Sequence, residues 1–357
     1  MLRIPTIERR DMTPSPQRLG FAVKVLGAPD VKSNDARRWQ SDPHLRTSLD
    51  YLNAIMDYLV RRGITMYRIS SDLAPYVTHP GLPQFHNQIV ECATELRAFG
   101  ERARAHDVRL SFHPSQFIIL NSPNRAVVDK SIWDLESQAA MLDCMGLGPE
   151  AVVVIHVGGA YGDKVSGRQR WVETYSRLPE PVRQRLVLEN DDIRYSAADV
   201  LDIHERTGVP LVFDNLHFWC NNPEDLEMQA TLARFVGTWP AGVRPKMHFS
   251  SPRTEFRSLQ RKNRKTGKME TVVQQPLWTG HADFVNPFEF VTLLRSATDL
   301  TFDVMLEAKA KDLTLLRLRK DLARYAPDVA ARFGIAAATP DDGVPREEIE
   351  PKESVSV

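Results

Sequence analysis

The chain has 357 residues, 42% of them apolar and 26% charged, and a formal net charge of zero. That is the make-up of a globular protein with material for one large core, and it excludes a chain-wide electrostatic footprint for nucleic acid, so any such surface has to be local. Cys92, Cys144 and Cys220 lack C-x-x-C spacing, which argues against a zinc ribbon or a disulfide framework, and no apolar run reaches membrane-spanning length. A cytoplasmic protein with no membrane association is expected.

Residues 1–17 are polar and contain prolines, and read as an N-terminal arm. From there strand-like and helix-like segments alternate. Strands are expected over 18–25, 65–69, 109–113, 151–157, 185–189, 210–214, 245–249 and 303–307. Amphipathic helices are expected near 45–62, 84–106, 125–146, 167–184, 196–207, 223–237, 286–297 and 312–325. Eight such pairs over residues 18–335 give an α/β fold, a (β/α)8 TIM barrel. Residues 336–357 turn Pro-, Asp- and Glu-rich and read as a disordered acidic tail.

The stretch from 250 to 286 breaks the rhythm. It carries Arg253, Arg257, Arg261, Lys262, Arg264, Lys265 and Lys268 against Glu255 and Glu270. A charge run is usually a solvated surface loop. Insertions this long in a compact domain also tend to be functional, and a basic lid over the catalytic end of a barrel suits phosphate contacts.

The run AVVVIHVGGAYGD at 151–163 organises the rest. Its apolar stretch reads as a strand buried on both faces, and the period of two puts Val152, Val154 and His156 on one side. An imidazole therefore sits at the carboxyl end of a parallel strand, where such barrels hold their chemistry. The other strands end similarly. Ser111 and His113 share parity, as do Val187 and Glu189, Val212 and Asp214, Lys246 and His248, and Met305 and Glu307; His217 follows the sixth strand and His281 closes the basic insertion. A lone strand-end histidine is more often structural, and a lone acid often caps the next helix. Jointly, so many imidazoles and carboxylates at one mouth are costly to desolvate unless cations neutralise them. Histidines mixed with acids and no cysteine suit zinc or manganese, and the number of groups suits two or three ions with Glu189 shared. Lys246 would be repelled by such ions, so it should lose its proton, pair with a carboxylate, be altered into an anion, or bend away from the centre.

The motifs THP at 78–80, FHPSQF at 112–117, HVGGAYGDK at 156–164, LEND at 188–191, FDNLH at 213–217, PKMHFSS at 245–251 and LEAK at 306–309 resemble the UV damage endonuclease family. That family is a TIM barrel related to endonuclease IV-type AP endonucleases. The resemblance implies a hydrolase that nicks damaged double-stranded DNA immediately 5′ to UV photoproducts and, in some members, at abasic sites. It implies a metal cluster at the C-terminal mouth, with three manganese ions and zinc as the alternative. His113, His156 and Glu189 would hold one ion, and Glu189, Asp214, His248 and Glu307 the second. His217 and His281 would hold the third. His79 would sit near the scissile phosphate, and Lys246 would carry a carboxyl adduct. Gln116 and Phe117 match a Gln–Tyr pair that probes the helix, and Phe21 stands where the family commonly has Tyr; both replacements lose a hydroxyl. Arg257, Arg261, Lys262, Arg264 and Lys265 are the expected phosphate contacts. A monomer acting at the nucleoid is expected. The rivals are an AP endonuclease without UV-lesion preference, a metal-dependent sugar isomerase or epimerase, and a non-catalytic damage-binding protein.

Overall fold

The computed structural model describes residues 15–338. Most of the expected arm and acidic tail lies outside the described residues. What is described of them is tied down: the Gln17 N–H donates to the Arg332 carbonyl at 2.8 Å, and the Ala338 N–H to the Ala323 carbonyl at 3.0 Å.

In chain order the elements begin with β1 (Leu19–Ala22), α1 (Leu45–Arg62), β2 (Met66–Arg68), α2 (Gln88–Glu91), α3 (Ala93–Ala105), β3 (Arg109–Ser111) and α4 (Arg125–Cys144). There follow β4 (Val153–His156), α5 (Lys164–Tyr175), α6 (Glu180–Arg185), β5 (Leu186–Glu189), α7 (Ala197–Thr207), β6 (Leu211–Asp214), α8 (Asn215–Cys220), α9 (Met228–Gly237) and β7 (Lys246–Phe249). The chain continues through β8 (Pro252–Arg253), β9 (Arg257–Lys262), β10 (Met269–Gln274) and β11 (Leu277–His281). It finishes with α10 (Pro287–Ser296), β12 (Asp303–Leu306), α11 (Lys311–Tyr325) and α12 (Pro327–Arg332).

Eight of these strands form one parallel sheet in the order β3-β2-β1-β12-β7-β6-β5-β4, and a parallel bridge between Phe112 and Val153 joins its two ends. The sheet is therefore closed into a (β/α)8 TIM barrel, and each strand lies inside the span read from the sequence. The expected helix over 167–184 is two helices because Pro179, lacking an N–H, ends one and starts the other.

Alternation along the strands builds two cores. Phe21, Tyr67, Leu110, Val153, Leu188 and Phe213 point outward, under the helices. The opposite parity fills the barrel itself: Val152, Val154, Val187 and Val212 pack together on Trp239, and Ala22, Met66 and Met305 form a second interior cluster. At the amino-terminal end of the strands Asp303 is fully buried and is approached by Arg109 at 2.9 Å, Arg18 at 3.3 Å and Arg244 at 3.6 Å.

Residues 250–286, to which the sequence reading assigns no strand, fold into two antiparallel ladders. β9 pairs with β10 from Arg257–Gln274 to Lys262–Met269, and β8 pairs with β11. Arg253 is buried on β8, and the basic residues from Arg257 to Lys268 ride on a hairpin whose tip is the 263–268 turn, rather than on an irregular loop.

Candidate metal centre

The interior parity that packs valines in the barrel delivers polar groups one step further along each strand. His156 lies in register with Glu189, and Asp214 with His248. His113 follows β3, and Glu307 follows β12 with its N–H on the Phe249 carbonyl at 2.9 Å. Past His156 the chain must turn sharply. Gly158 does so at φ +114, where a Cβ would lie 2.6 Å from Asn121 Oδ1.

Glu189 is the hub. Its Oε2 lies 3.0 Å from His113 Nε2 and 3.8 Å from His156 Nε2; its Oε1 lies 2.8 Å from His248 Nδ1 and 3.6 Å from His217 Nδ1. Burial alone would raise this carboxyl, but His248, His156 and the His113 bond hold it well below the usual carboxylate range. Asp214 is pushed up by burial despite His217 beside it. Burial takes His113 down to about 4, so its imidazole is neutral at pH 7. Burial also disfavours charge on His217, yet Asp214 and Glu189 outweigh it and raise that imidazole to about 9.

Three sets of donors each fall within 4.8 Å of one another: His113–His156–Glu189, His113–His248–Glu307 and Glu189–Asp214–His217. His248 Nε2, Asp214 Oδ2 and His156 Nδ1 are buried without a hydrogen-bond partner among the described residues. An unpartnered buried donor or acceptor costs about 1–3 kcal/mol, and these three atoms belong one to each of the sets just named, so the cluster is not closed by its own hydrogen bonds. Imidazole and carboxylate donors with no thiol fit a borderline divalent cation. His281 joins from β11: its Nδ1 bonds the Glu307 carbonyl oxygen at 2.6 Å, and its ring lies 6.1 Å from that of His217.

Lys246 is buried inside the barrel. Its Nζ donates to Ser111 Oγ at 3.1 Å and meets no carboxylate as an ion pair among the described residues. Burial, then Arg109 and Arg68, push its ammonium well below the ordinary lysine value. Of the alternatives posed by the sequence, pairing with an acid and bending out to solvent are the two this geometry removes.

Arg68, which the sequence reading passed over, ends β2 on the interior parity and ion-pairs with Glu307. Burial would raise the Glu307 carboxyl; Arg68 and His248 instead hold it well below the usual range. The signal was available, since Met66 and Arg68 alternate like the other strand ends, but arginine is ordinarily a surface residue.

Phe21 is a correction. It is wholly buried, edge-to-face on Tyr67 with centroids 5.4 Å apart. It shares parity with Leu19, so it faces the helices rather than the mouth and has no surface to offer DNA. Gln116 and Phe117 are exposed, Phe117 by 74%, and line a cavity of about 690 Å³ with His113, His156, His217 and His281. His79 is exposed on a separate cavity with Asp35, Thr78 and Lys130. Its Nδ1 accepts from the Gly81 N–H at 3.2 Å, and none of its contacts touches the cluster. On the hairpin, Arg257 is engaged by Asp283, while Arg261, Lys262, Arg264 and Lys265 stand in solvent.

A family model described as UV-endonuclease UvdE matches residues 42–332. A UV DNA damage endonuclease of Bacillus velezensis is 36% identical over 269 residues, covering 74% of this chain and 77% of that protein. One of Bacillus cereus is 31% identical over 288 residues, covering 78% and 82%. The crystal structure of SacUVDE superposes with a TM-score of 0.72 at 29% identity, over 86% of this chain and 98% of that one. With its strand-end acids and imidazoles collected at one barrel mouth, the chain belongs to the UvdE family of UV-damage endonucleases, nucleases that act on DNA.

Proposed function

We propose that this chain is a metal-dependent repair endonuclease that hydrolyses the phosphodiester immediately 5′ to UV photoproducts, cyclobutane dimers and 6-4 products, and also at abasic sites. The observation that carries the reading is the convergence of Glu189, Asp214 and Glu307 with His113, His156, His217 and His248 at the barrel mouth, where His281 joins them through Glu307. Three manganese ions, with zinc as the substitute, are assigned to this pocket. His113, His156 and Glu189 would hold the first, and Glu189, Asp214, His248 and Glu307 the second; His217 and His281 would hold the third. Bound there, the ions would supply Lewis acidity for in-line phosphoryl chemistry.

The chain's own residues set the stage. Glu189 would be the ligand the first two ions share, its charge held by His248 and His156 against burial. Burial disfavours the Lys246 ammonium, so the amine lone pair is available to add carbon dioxide; loss of one proton to solvent would then leave a carbamate anion in place of the amine. His79 is assigned to the scissile strand. Gln116 and Phe117 project over the cavity, and the phenyl ring can replace a base in the stack but cannot donate a hydrogen bond. It therefore senses lost stacking, a property that photoproducts and abasic sites share. Arg257, Arg261, Lys262, Arg264 and Lys265 hold the duplex by its phosphates.

The test is nicking of supercoiled plasmid, irradiated or not, with manganese and with a chelator. Relaxation confined to irradiated plasmid and abolished by chelator is expected. Equal relaxation of both plasmids would leave a nuclease without UV preference, and none in either would remove the reading.

A further inference from the structure

The hairpin of β9 and β10 stands on a fixed neck. Arg253, buried, donates to the Glu255 carbonyl at 3.2 Å and to the Gln275 carbonyl at 2.9 Å, one on each side of the neck. Arg257 at the first rung is ion-paired with Asp283. The strand that leaves the hairpin, β11, pairs with β8 and ends on His281 of the proposed metal pocket. The ribbon is therefore tied to the barrel mouth. Its six cross-strand pairs run unbroken from Arg257–Gln274 to Lys262–Met269, and six strand residues span about 20 Å.

Partners directly across a ladder share a face. One face holds Arg257–Gln274, Leu259–Val272 and Arg261–Glu270. It leans on the body of the protein through Arg257, and Leu259 and Val272 are 40% and 38% exposed. The other face holds Ser258–Val273, Gln260–Thr271 and Lys262–Met269. It stands freer, with Val273 at 58% and Met269 at 60%. Between 257 and 274 there are six cations and one acid, Glu270, which accepts from Asn263 Nδ2 at 2.8 Å.

We infer that this ribbon lies in the major groove of intact duplex beside the lesion, its freer face against the base edges; the inference rests on the nuclease reading above. Charge selects a polyanion, and a second copy of the chain would bring the same cations and be repelled. Width selects the groove: a two-stranded ribbon enters the major groove, about 12 Å across, and not the minor, about 6 Å. The freer face carries hydroxyls, an amide, one ammonium and two apolar side chains, a match for the acceptors, donors and thymine methyls displayed there. At the tip, Arg264, Lys265 and Lys268 are exposed to meet the phosphates that wall the groove. A reach of about 20 Å is about six base-pair steps, so the contact falls roughly half a helical turn from the scissile phosphate.

The test is steady-state nicking of duplexes that carry one thymine dimer and, at a single position stepped outward on either side, a glucosylated 5-hydroxymethylcytosine, whose sugar fills the major groove and leaves pairing intact. For the full chain KM should rise about tenfold, the loss of one groove contact, when the sugar stands about six base pairs away on one side only, with kcat little changed. Two variants locate the cause: one with residues 258–273 replaced by a Gly-Ser turn, and the double substitution Lys262→Glu with Arg264→Glu, both at exposed positions, whose charge keeps the ribbon out of the groove. Each should show a raised KM on the unmodified duplex and indifference to where the sugar stands. A KM unmoved by the sugar at every position, or moved equally in the variants, overturns the inference while leaving the nuclease reading intact. A wild-type dimer in sedimentation that becomes a monomer in the variants also overturns it, because the ribbon's open edges then pair with a second copy. If wild type neither binds nor nicks the unmodified duplex, the nuclease reading fails and this one with it.

Discussion

His248 Nδ1 and Glu189 Oε1 lie 2.8 Å apart with both side chains fully buried, and the far nitrogen of His248 has no partner among the described residues. The same Nδ1 lies 3.3 Å from Glu307 Oε1, so this nitrogen faces both carboxylates that would share an ion with the ring. The orientation comes from β5 and β7, on either side of β6, so the geometry is set by the barrel and not by a mobile loop.

Glu189→Gln keeps the shape but removes the charge that several donors share. Nicking of lesion-bearing DNA should fall by more than about 100-fold, beyond the loss typical of a single supporting partner, while binding of the same duplex by gel shift stays measurable. Full activity in the variant would remove Glu189 from the bridging position.

Metal uptake should depend on pH through His217. In the metal-free chain this imidazole is raised to about 9 from 6.5 by Asp214 and Glu189. Its stabilising contribution is thus complete below its unfolded value and lost as pH rises through 9. A cation must displace that proton, so apparent manganese affinity should climb by about tenfold per unit between pH 7 and 8.5 if one proton is released. His113, already neutral, adds nothing over that range. Calorimetric titration at several pH values checks this; a flat affinity would contradict it.

Adduct formation on Lys246 can be read without any assay of activity. Chains equilibrated with 13C-labelled bicarbonate should show a carbamate carbon resonance that is absent from Lys246→Arg, whose guanidinium keeps its proton. No resonance in the wild type would leave Lys246 as a neutral amine bonded to Ser111.

At the opposite end of the barrel, Asp303 holds Arg109, Arg18 and Arg244 together. Asp303→Asn strands the buried Arg109 cation and should cost about 3–5 kcal/mol of stability, read as a lowered denaturant midpoint, with KM for DNA unchanged. A neutral effect on stability would mean that water reaches Arg109.

Hairpin charge is a separate lever. Reversing Arg261, Lys262, Arg264 and Lys265 to Glu should flatten the plot of log affinity against log salt by about one unit of slope for each phosphate no longer neutralised. An unchanged slope would make the hairpin a bystander.

Much of the mouth was legible because a barrel strand has only two faces. Once Val152 and Val154 are placed inside, His156 must follow, and the same parity places Glu189, Asp214, His248 and Glu307. Phe21 was misplaced by setting that rule aside, since its parity with Leu19 already points it at the helices. Arg68 obeyed the rule and was missed because its residue type suggests solvent. β9 and β10 were illegible for another reason: RSLQRK and METVVQ are exposed on both faces, so neither leaves an alternating apolar trace. The 263–268 turn, with Asn263 and Gly267, was their only punctuation.

The most direct measurement is incision mapping on an end-labelled duplex with one defined cyclobutane dimer, using chain stripped of metal and then supplied with manganese. Expected are no cut from the stripped chain and, on adding metal, a single cut at the phosphate immediately 5′ to the dimer with a free 3′-hydroxyl. Cutting by the stripped chain, or cuts scattered along the strand regardless of the lesion, would contradict the assignment of the strand-end cluster as a lesion-directed metal nuclease.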